Sequence, residues 1–287
     1  MIALVAWGAL GPAASAGPQP FSLRFLTQPA DAEQGAVITS VPFDPRPSIQ
    51  PIQVEVVGPN GTRATNSTAE ITMEIGTDPT PNSNGVLSGT TKVKAVAGVA
   101  SFGNLRISPD GFGYQLRAQS SKTVPALSNR FDIWEVVEDC QANKSCRGVV
   151  SDSEMSGEVS GTSATAGLLL LSLGATAVNT LDCGDSANHA PSVVSVDSRG
   201  FTGTKTATLR VTKAVDQLQA NNGVVFYQVC YESDNSFEDR NGNLVTTGLL
   251  PDCDKQPQPP CVQSKNKTNA GDVLITLLLP AADPRFR

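Results

Sequence analysis

The chain holds a single histidine, so any Ser-His-Asp arrangement for acyl transfer must pass through His189, with Asp185 and Ser186 its nearest carboxylate and hydroxyl partners in sequence. No Gly-x-Ser-x-Gly elbow, no glycine-rich phosphate loop with a following Lys and no His-Glu-x-x-His motif accompanies it. Glu238 and Asp239 are the residue type used in paired-carboxylate acid–base work, but neighbours on a strand point to opposite faces and do not converge. Residues 234–243 gather several oxygen donors around Gly242, as calcium prefers, without the spacing of an EF-hand. An Asn241-Gly242 hairpin turn accounts for the same residues without metal.

Six cysteines remain: Cys140, Cys146, Cys183, Cys230, Cys253 and Cys261, all in the second half. An even set confined to one region reads as disulfides of an exported protein. A zinc site fits poorly, because no Cys-x-x-Cys pair occurs and only one histidine is present. Distance along the chain favours Cys140 with Cys146, Cys183 with Cys230, and Cys253 with Cys261; other connectivities stay open. No catalytic residue, metal ligand or cofactor site is assigned, and the chain is expected not to be an enzyme.

The elements that would position these residues are strands. Phe21, Leu23 and Phe25 alternate with Ser22 and Arg24; Ile52, Val54 and Val56 with Gln53 and Glu55; Ile71, Met73 and Ile75 with Thr72 and Glu74. Period two implies strands with one face buried and one wet. Turn residues separate them at 58–61, 78–81 and 109–111. Short strands so spaced imply an antiparallel sandwich. In the second half, residues 167–173, the Ala207, Leu209, Val211 alternation, and the apolar runs 224–230 and 272–279 read as further strands. Residues 213–220 suit a short helix, and 232–268 read as a long polar loop. The fold class is therefore all-β, with a second, disulfide-bonded, mainly β domain after the first.

Within residues 85–118, Leu87-Ser88-Gly89-Thr90, Gly98-Val99-Ala100-Ser101-Phe102, Leu105, Ile107 and Gly113-Tyr114-Gln115-Leu116-Arg117-Ala118 succeed one another as strands and turns. On these residues, 21–134 resembles a bacterial immunoglobulin-like domain of the invasin and intimin type, and more loosely a filamin repeat. The resemblance implies an immunoglobulin-like β-sandwich in which Tyr114 closes a corner by bonding backbone. It departs from antibody domains in carrying no cysteine. Residues 135–287, through Asp182-Cys183-Gly184-Asp185, Asn188-His189-Ala190-Pro191, Phe201-Thr202-Gly203, residues 237–243 and residues 279–284, resemble a cysteine-containing β domain of secreted actinobacterial proteins. That resemblance bears on compartment and implies no activity.

Residues 2–10 are apolar and Ala14-Ser15-Ala16 suits signal peptidase, so residues 1–16 read as a signal peptide, although no Lys or Arg precedes the apolar run. The run 166–178 is shorter than the about 20 residues a membrane helix needs, so no transmembrane segment is expected. A net charge of -6 disfavours nucleic acid as a partner. Four Asn-x-Ser/Thr sites, at Asn60, Asn66, Asn143 and Asn266, are expected on loops. The function expected is a secreted or cell-surface structural or adhesion module, contacting a cell-surface glycan or protein through the cysteine-tied loops of its second domain. The alternative is a secreted hydrolase with a catalytic second domain and the sandwich as accessory.

Overall fold

A computed structural model describes residues 21–43, 50–174, 193–214, 230–238, 244–250, 252–255 and 259–280. In chain order its first half has β1 (Phe21–Thr27), β2 (Ala32–Glu33), β3 (Ile52–Val57), β4 (Glu70–Thr77), β5 (Val86–Ser88), β6 (Lys92–Lys94), β7 (Val99–Phe102), β8 (Arg106–Ser108), β9 (Gly111–Gln119), β10 (Thr123–Val124), β11 (Ala126–Leu127) and β12 (Phe131–Trp134). Its second half has β13 (Val136–Cys140), β14 (Ser145–Ser151), β15 (Met155–Thr162), β16 (Gly167–Gly174), β17 (Val193–Arg199), β18 (Lys205–Val211), β19 (Cys230–Glu238), β20 (Leu244–Leu249), β21 (Cys261–Lys267) and β22 (Val273–Leu279). The chain is all-β, as its alternation implies.

The first half places the sheet β10-β1-β3-β7 against β2-β12-β9-β4-β6, with β5 and β8 pairing at the side. Register brings the apolar positions opposite one another: Leu23 faces Val56, Phe25 faces Val54 and Ile52 faces Phe102 in one sheet. In the other, Met73 faces Ala118 and Phe131 faces Tyr114. These side chains form a single core between the sheets, with Ile52, Phe102, Tyr114 and Leu116 fully buried. Because the side-chain period on a strand is two, a slip of one residue would turn every one of them to water. The Tyr114 hydroxyl donates to the Pro109 carbonyl at 3.0 Å, so a buried polar tip is satisfied by the backbone just before its own strand.

One alternation is broken. Glu55 occupies an expected solvent-facing position of β3, yet it is 2 % exposed. It is covered because Arg24 from β1 and Arg63 from the following turn both close over it, their Nε atoms donating to its two carboxylate oxygens at 2.7 and 2.8 Å. Burial alone would raise this carboxyl's pKa, but the hydrogen bonds and charges of Arg63 and Arg24 outweigh it and hold the pKa below its ordinary value.

The hairpin between β6 and β7 turns through Ala97 and Gly98, with Val96 and Val99 exchanging both backbone bonds at 2.8 and 3.0 Å. Both turn residues have positive φ, 49° at Ala97 and 78° at Gly98, as a two-residue hairpin of right-handed twist requires. At Gly98 a side chain would also run into the Ala64 carbonyl. Alanine is poorly suited to the left-handed region, so Ala97→Asn is expected to stabilise the protein by about 1 kcal/mol, read from the midpoint of urea unfolding.

The second half packs β13-β16-β17 against β14-β15-β18-β22-β21 around a separate core that includes Val159, Leu169, Leu171, Val196, Ala207, Ile275 and Leu277. Among the described residues two disulfides are present, Cys140 with Cys146 and Cys253 with Cys261. Residues 232–268 are not one long loop, as composition suggested. β19 and β20 pair antiparallel, with Glu238 opposite Leu244, and β21 pairs along β22. The polar residues of β21 misled because this is a sheet-edge strand, where Gln263, Lys265, Asn266 and Lys267 face solvent while Cys261 and Val262 are buried. For the same reason Asn266 lies on a strand and not on a loop; Asn60, Asn66 and Asn143 lie outside strands, and all four are exposed. Of the helix expected over 213–220, Lys213 and Ala214 are helical and the remainder falls outside the described residues, as do residues 1–16 and 224–229.

Candidate functional site

The two cores meet across one residue. β12 ends at Trp134, β13 begins at Val136, and Glu135 between them fastens the junction to β16. Its backbone N–H donates to Ser172 Oγ at 3.0 Å, and its carboxylate Oε2 accepts the Leu173 N–H at 2.9 Å. Nearby, the Asp110 backbone N–H is held by Gln34 Oε1 at 2.8 Å, and the Ser172 hydroxyl favours the ionised form of the Asp110 carboxyl. Strand parity explains why Ser172 is available. Leu169 and Leu171 of β16 point into the second core, so Leu170 and Ser172 point the other way, toward the first half, and both are buried.

Arg199, at the end of the neighbouring β17, makes the second fastening. Its guanidinium pairs with Asp31 of the first half at 2.6 Å and with Asp197 of its own strand at 3.3 Å, and lies 5.0 Å from the centre of the Phe43 ring. Asp31 is held for this role by accepting the Asp132 N–H on its other oxygen at 2.8 Å. Trp134, buried but belonging to neither core, meets Phe112 edge-on at 4.8 Å. The junction is thus a partly buried ion pair, a hydroxyl and a carboxylate each accepting a backbone N–H, and an aromatic contact. No local signal in the sequence marks these residues as a group, since Asp31, Asp110, Glu135, Ser172 and Arg199 are scattered over 168 positions.

The electrostatics of the junction carry a pH dependence. Burial raises the pKa of Asp110, opposed by the Ser172 hydroxyl; burial also raises that of Glu135, opposed by the Leu173 N–H and reinforced by the charges of Asp110 and Asp152. A carboxyl raised in the folded state binds more protons folded than unfolded, so it adds stability as pH falls through its folded pKa toward its ordinary one. Glu55, Asp78, Glu158 and Asp272 are lowered, and their contribution is lost as pH falls through their folded values. Stability is therefore expected to hold or rise from neutral to mildly acid pH and to fall below the carboxylate range. In the double variant Asp110→Asn with Glu135→Gln the mildly acid gain should vanish, as read from melting temperature against pH.

The residues with catalytic or metal-binding types are not brought together in the described structure. His189, Asp185, Ser186 and Cys183 lie outside it, and so does the proposed pairing of Cys183 with Cys230. Residues 234–238 run within β19 and 239–243 lie outside the description, so the oxygen donors expected to share a calcium site are partly strand. Among the described residues no group of three or more His, Cys, Asp or Glu side chains is placed to hold a metal ion, and no helix is long and apolar enough to cross a membrane. Of the loops tied by cysteines, residues 141–145 between Cys140 and Cys146 are exposed, and so are Asp254 and Lys255 in the turn at 252–255, where the half-buried Asp252 pairs with Lys255 at 3.2 Å and Lys265 at 3.8 Å. No family model, no curated protein and no solved structure matches this chain.

Proposed function

We propose that this chain is a secreted or cell-surface structural or adhesion protein, built from an immunoglobulin-like sandwich over 21–134 and a disulfide-bonded β domain over 135–287. The observation that carries the reading is the junction: two separate cores linked along the chain by Glu135, with Arg199 of one half paired to Asp31 of the other. A connection of one residue, fastened on both sides, sets the orientation of one unit on the next, which is what a spacer that presents a surface at a distance requires. The two disulfides support an oxidising compartment. The partner surface is assigned to the exposed cysteine-tied loops of the second domain, which rigid sheets hold in place, and the partner class is a cell-surface glycan or protein.

The purified exported protein should bind at least one member of a panel of glycans, matrix proteins and cell-wall fragments. Solution scattering should give one compact, fixed arrangement of the two units, which broadens in the double variant Arg199→Ala with Glu135→Ala. Hydrolysis of a panel member, or a wild-type profile that already requires freely jointed units, would refute the reading.

A further inference from the structure

The chain contains four Asn-Gly pairs, Asn60-Gly61, Asn84-Gly85, Asn222-Gly223 and Asn241-Gly242; the first two lie among the described residues. Asparagine followed by glycine is the dipeptide most open to self-modification, since no side chain shields the glycine nitrogen. That nitrogen attacks the asparagine Cγ, its proton is lost to solvent, the Cγ–Nδ2 bond breaks and ammonia leaves, closing a cyclic imide. Water then opens the imide to aspartate or isoaspartate, so one water is consumed, one ammonia released and one negative charge gained. Both asparagines are exposed, so access to solvent does not separate them. Their hydrogen bonds do.

At Asn84 the attacking atom is locked. The Gly85 N–H donates to Asp78 Oδ2 at 2.8 Å, and the Asn84 N–H to Thr80 Oγ1 at 3.1 Å. The Thr80 hydroxyl in turn donates to Asp78 Oδ1 at 2.6 Å. With ψ at 10° the Asn84–Gly85 peptide must rotate before its nitrogen can meet the side chain, and that rotation breaks the bond to Asp78. Removing the Gly85 proton beside a carboxylate also builds negative charge against negative charge. Burial would raise the Asp78 pKa, but the Thr80 hydroxyl and the Thr80 and Gly85 N–H groups outweigh it and keep this carboxylate ionised.

Asn60 is placed differently. The Gly61 N–H meets only a neutral carbonyl, that of Gly58 at 2.9 Å, and Gly61 itself is unobstructed with φ 78°. The Asn60 Oδ1 accepts the Thr62 N–H at 3.2 Å and the Thr62 hydroxyl at 2.9 Å. Donors on that oxygen polarise the amide and would stabilise the oxyanion formed as the ring closes.

We infer that Asn60 is a deamidation site of the folded protein and that Asp78 protects Asn84 from the same reaction. Deamidation at Asn60 also replaces the amide of the Asn60-Gly61-Thr62 acceptor sequence with a carboxylate. The test is isoaspartate formation in mildly alkaline buffer, followed by mass spectrometry of tryptic peptides; cleavage at Arg63 separates the two asparagines. In the native wild type, Asn60 should convert several-fold faster than Asn84, whereas in urea the two should convert alike. Asp78→Ala should raise the Asn84 rate several-fold and leave Asn60 unchanged, with Asp78→Asn intermediate because its amide oxygen can still accept the Gly85 N–H. Thr62→Ala should slow Asn60. If Asn84 converts as fast as Asn60 in the native wild type, the inference fails, and this comparison needs no variant to fold.

Discussion

Phe102→Ala should lower the stability of the first core by about 3–5 kcal/mol, the range for deleting a large aromatic ring from a packed interior. Phe102 is fully buried on β7, pairs across the sheet with Ile52, which is also fully buried, and faces the opposite sheet in a core that includes Leu105, Tyr114 and Leu116. β7 is the last strand of its sheet and β3 holds its backbone on the inner side, while the opposite sheet encloses the ring, so the site can collapse only slightly and most of the cavity should persist. The melting transition of the first half should drop by more than about 10 °C. Calorimetry should show that drop in one of two transitions, because the second core shares no residue with the first. Movement of a single common transition would mean that the two cores unfold together and would sink the proposal of two domains.

The reciprocal result is expected from the disulfides. Replacing Cys140 with Cys146, or Cys253 with Cys261, by alanine pairs should cost the second core about 2 kcal/mol per bridge, the loop-closure contribution for chains this short, and reduction of both should roughly double the loss. Alanine is the appropriate replacement because Cys140, Cys146 and Cys261 are buried and a serine hydroxyl would lack a partner there. Cys140 belongs to the sheet β13-β16-β17 and Cys146 to the sheet led by β14, so this short bridge ties the two sheets of the second half together. Reductant should therefore lower the second transition and leave the first, which contains no cysteine, in place. An unchanged second transition under full reduction would show that the bridges contribute nothing to the fold.

Strand positions were readable wherever one face is buried and the other wet: Leu23 and Phe25, Ile52 and Val54, Ile71 and Met73, Ala100 and Phe102, and Tyr114, Leu116 and Ala118 all enter the core as their spacing implies. β21 and Glu55 depart from this pattern, for opposite reasons. β21 has too few apolar residues because it is the last strand of its sheet among the described residues, bridged on its outer side at Asp252 and Val262. Glu55 has too polar a side chain for the burial it experiences, because two arginines from separate segments close over it. In each case the deciding neighbour is distant in sequence, and periodicity carries information only about the segment that displays it.

The junction shows the same division. Two local bridges, Cys140 with Cys146 and Cys253 with Cys261, could be chosen from spacing, because short loops close at small entropic cost. No such rule connects Asp31 to Arg199 or Asp110 to Ser172. By itself the sequence determined the all-β class and the faces of the strands, and it favoured these two local bridges, all of which follow from alternation and proximity along the chain. Only the tertiary structure decided which sheet each strand joins, that Cys140 and Cys146 span two sheets, and which polar groups meet where the two cores touch. Those depend on long-range pairing, and a pairing energy resides in two segments at once, so neither segment displays it alone.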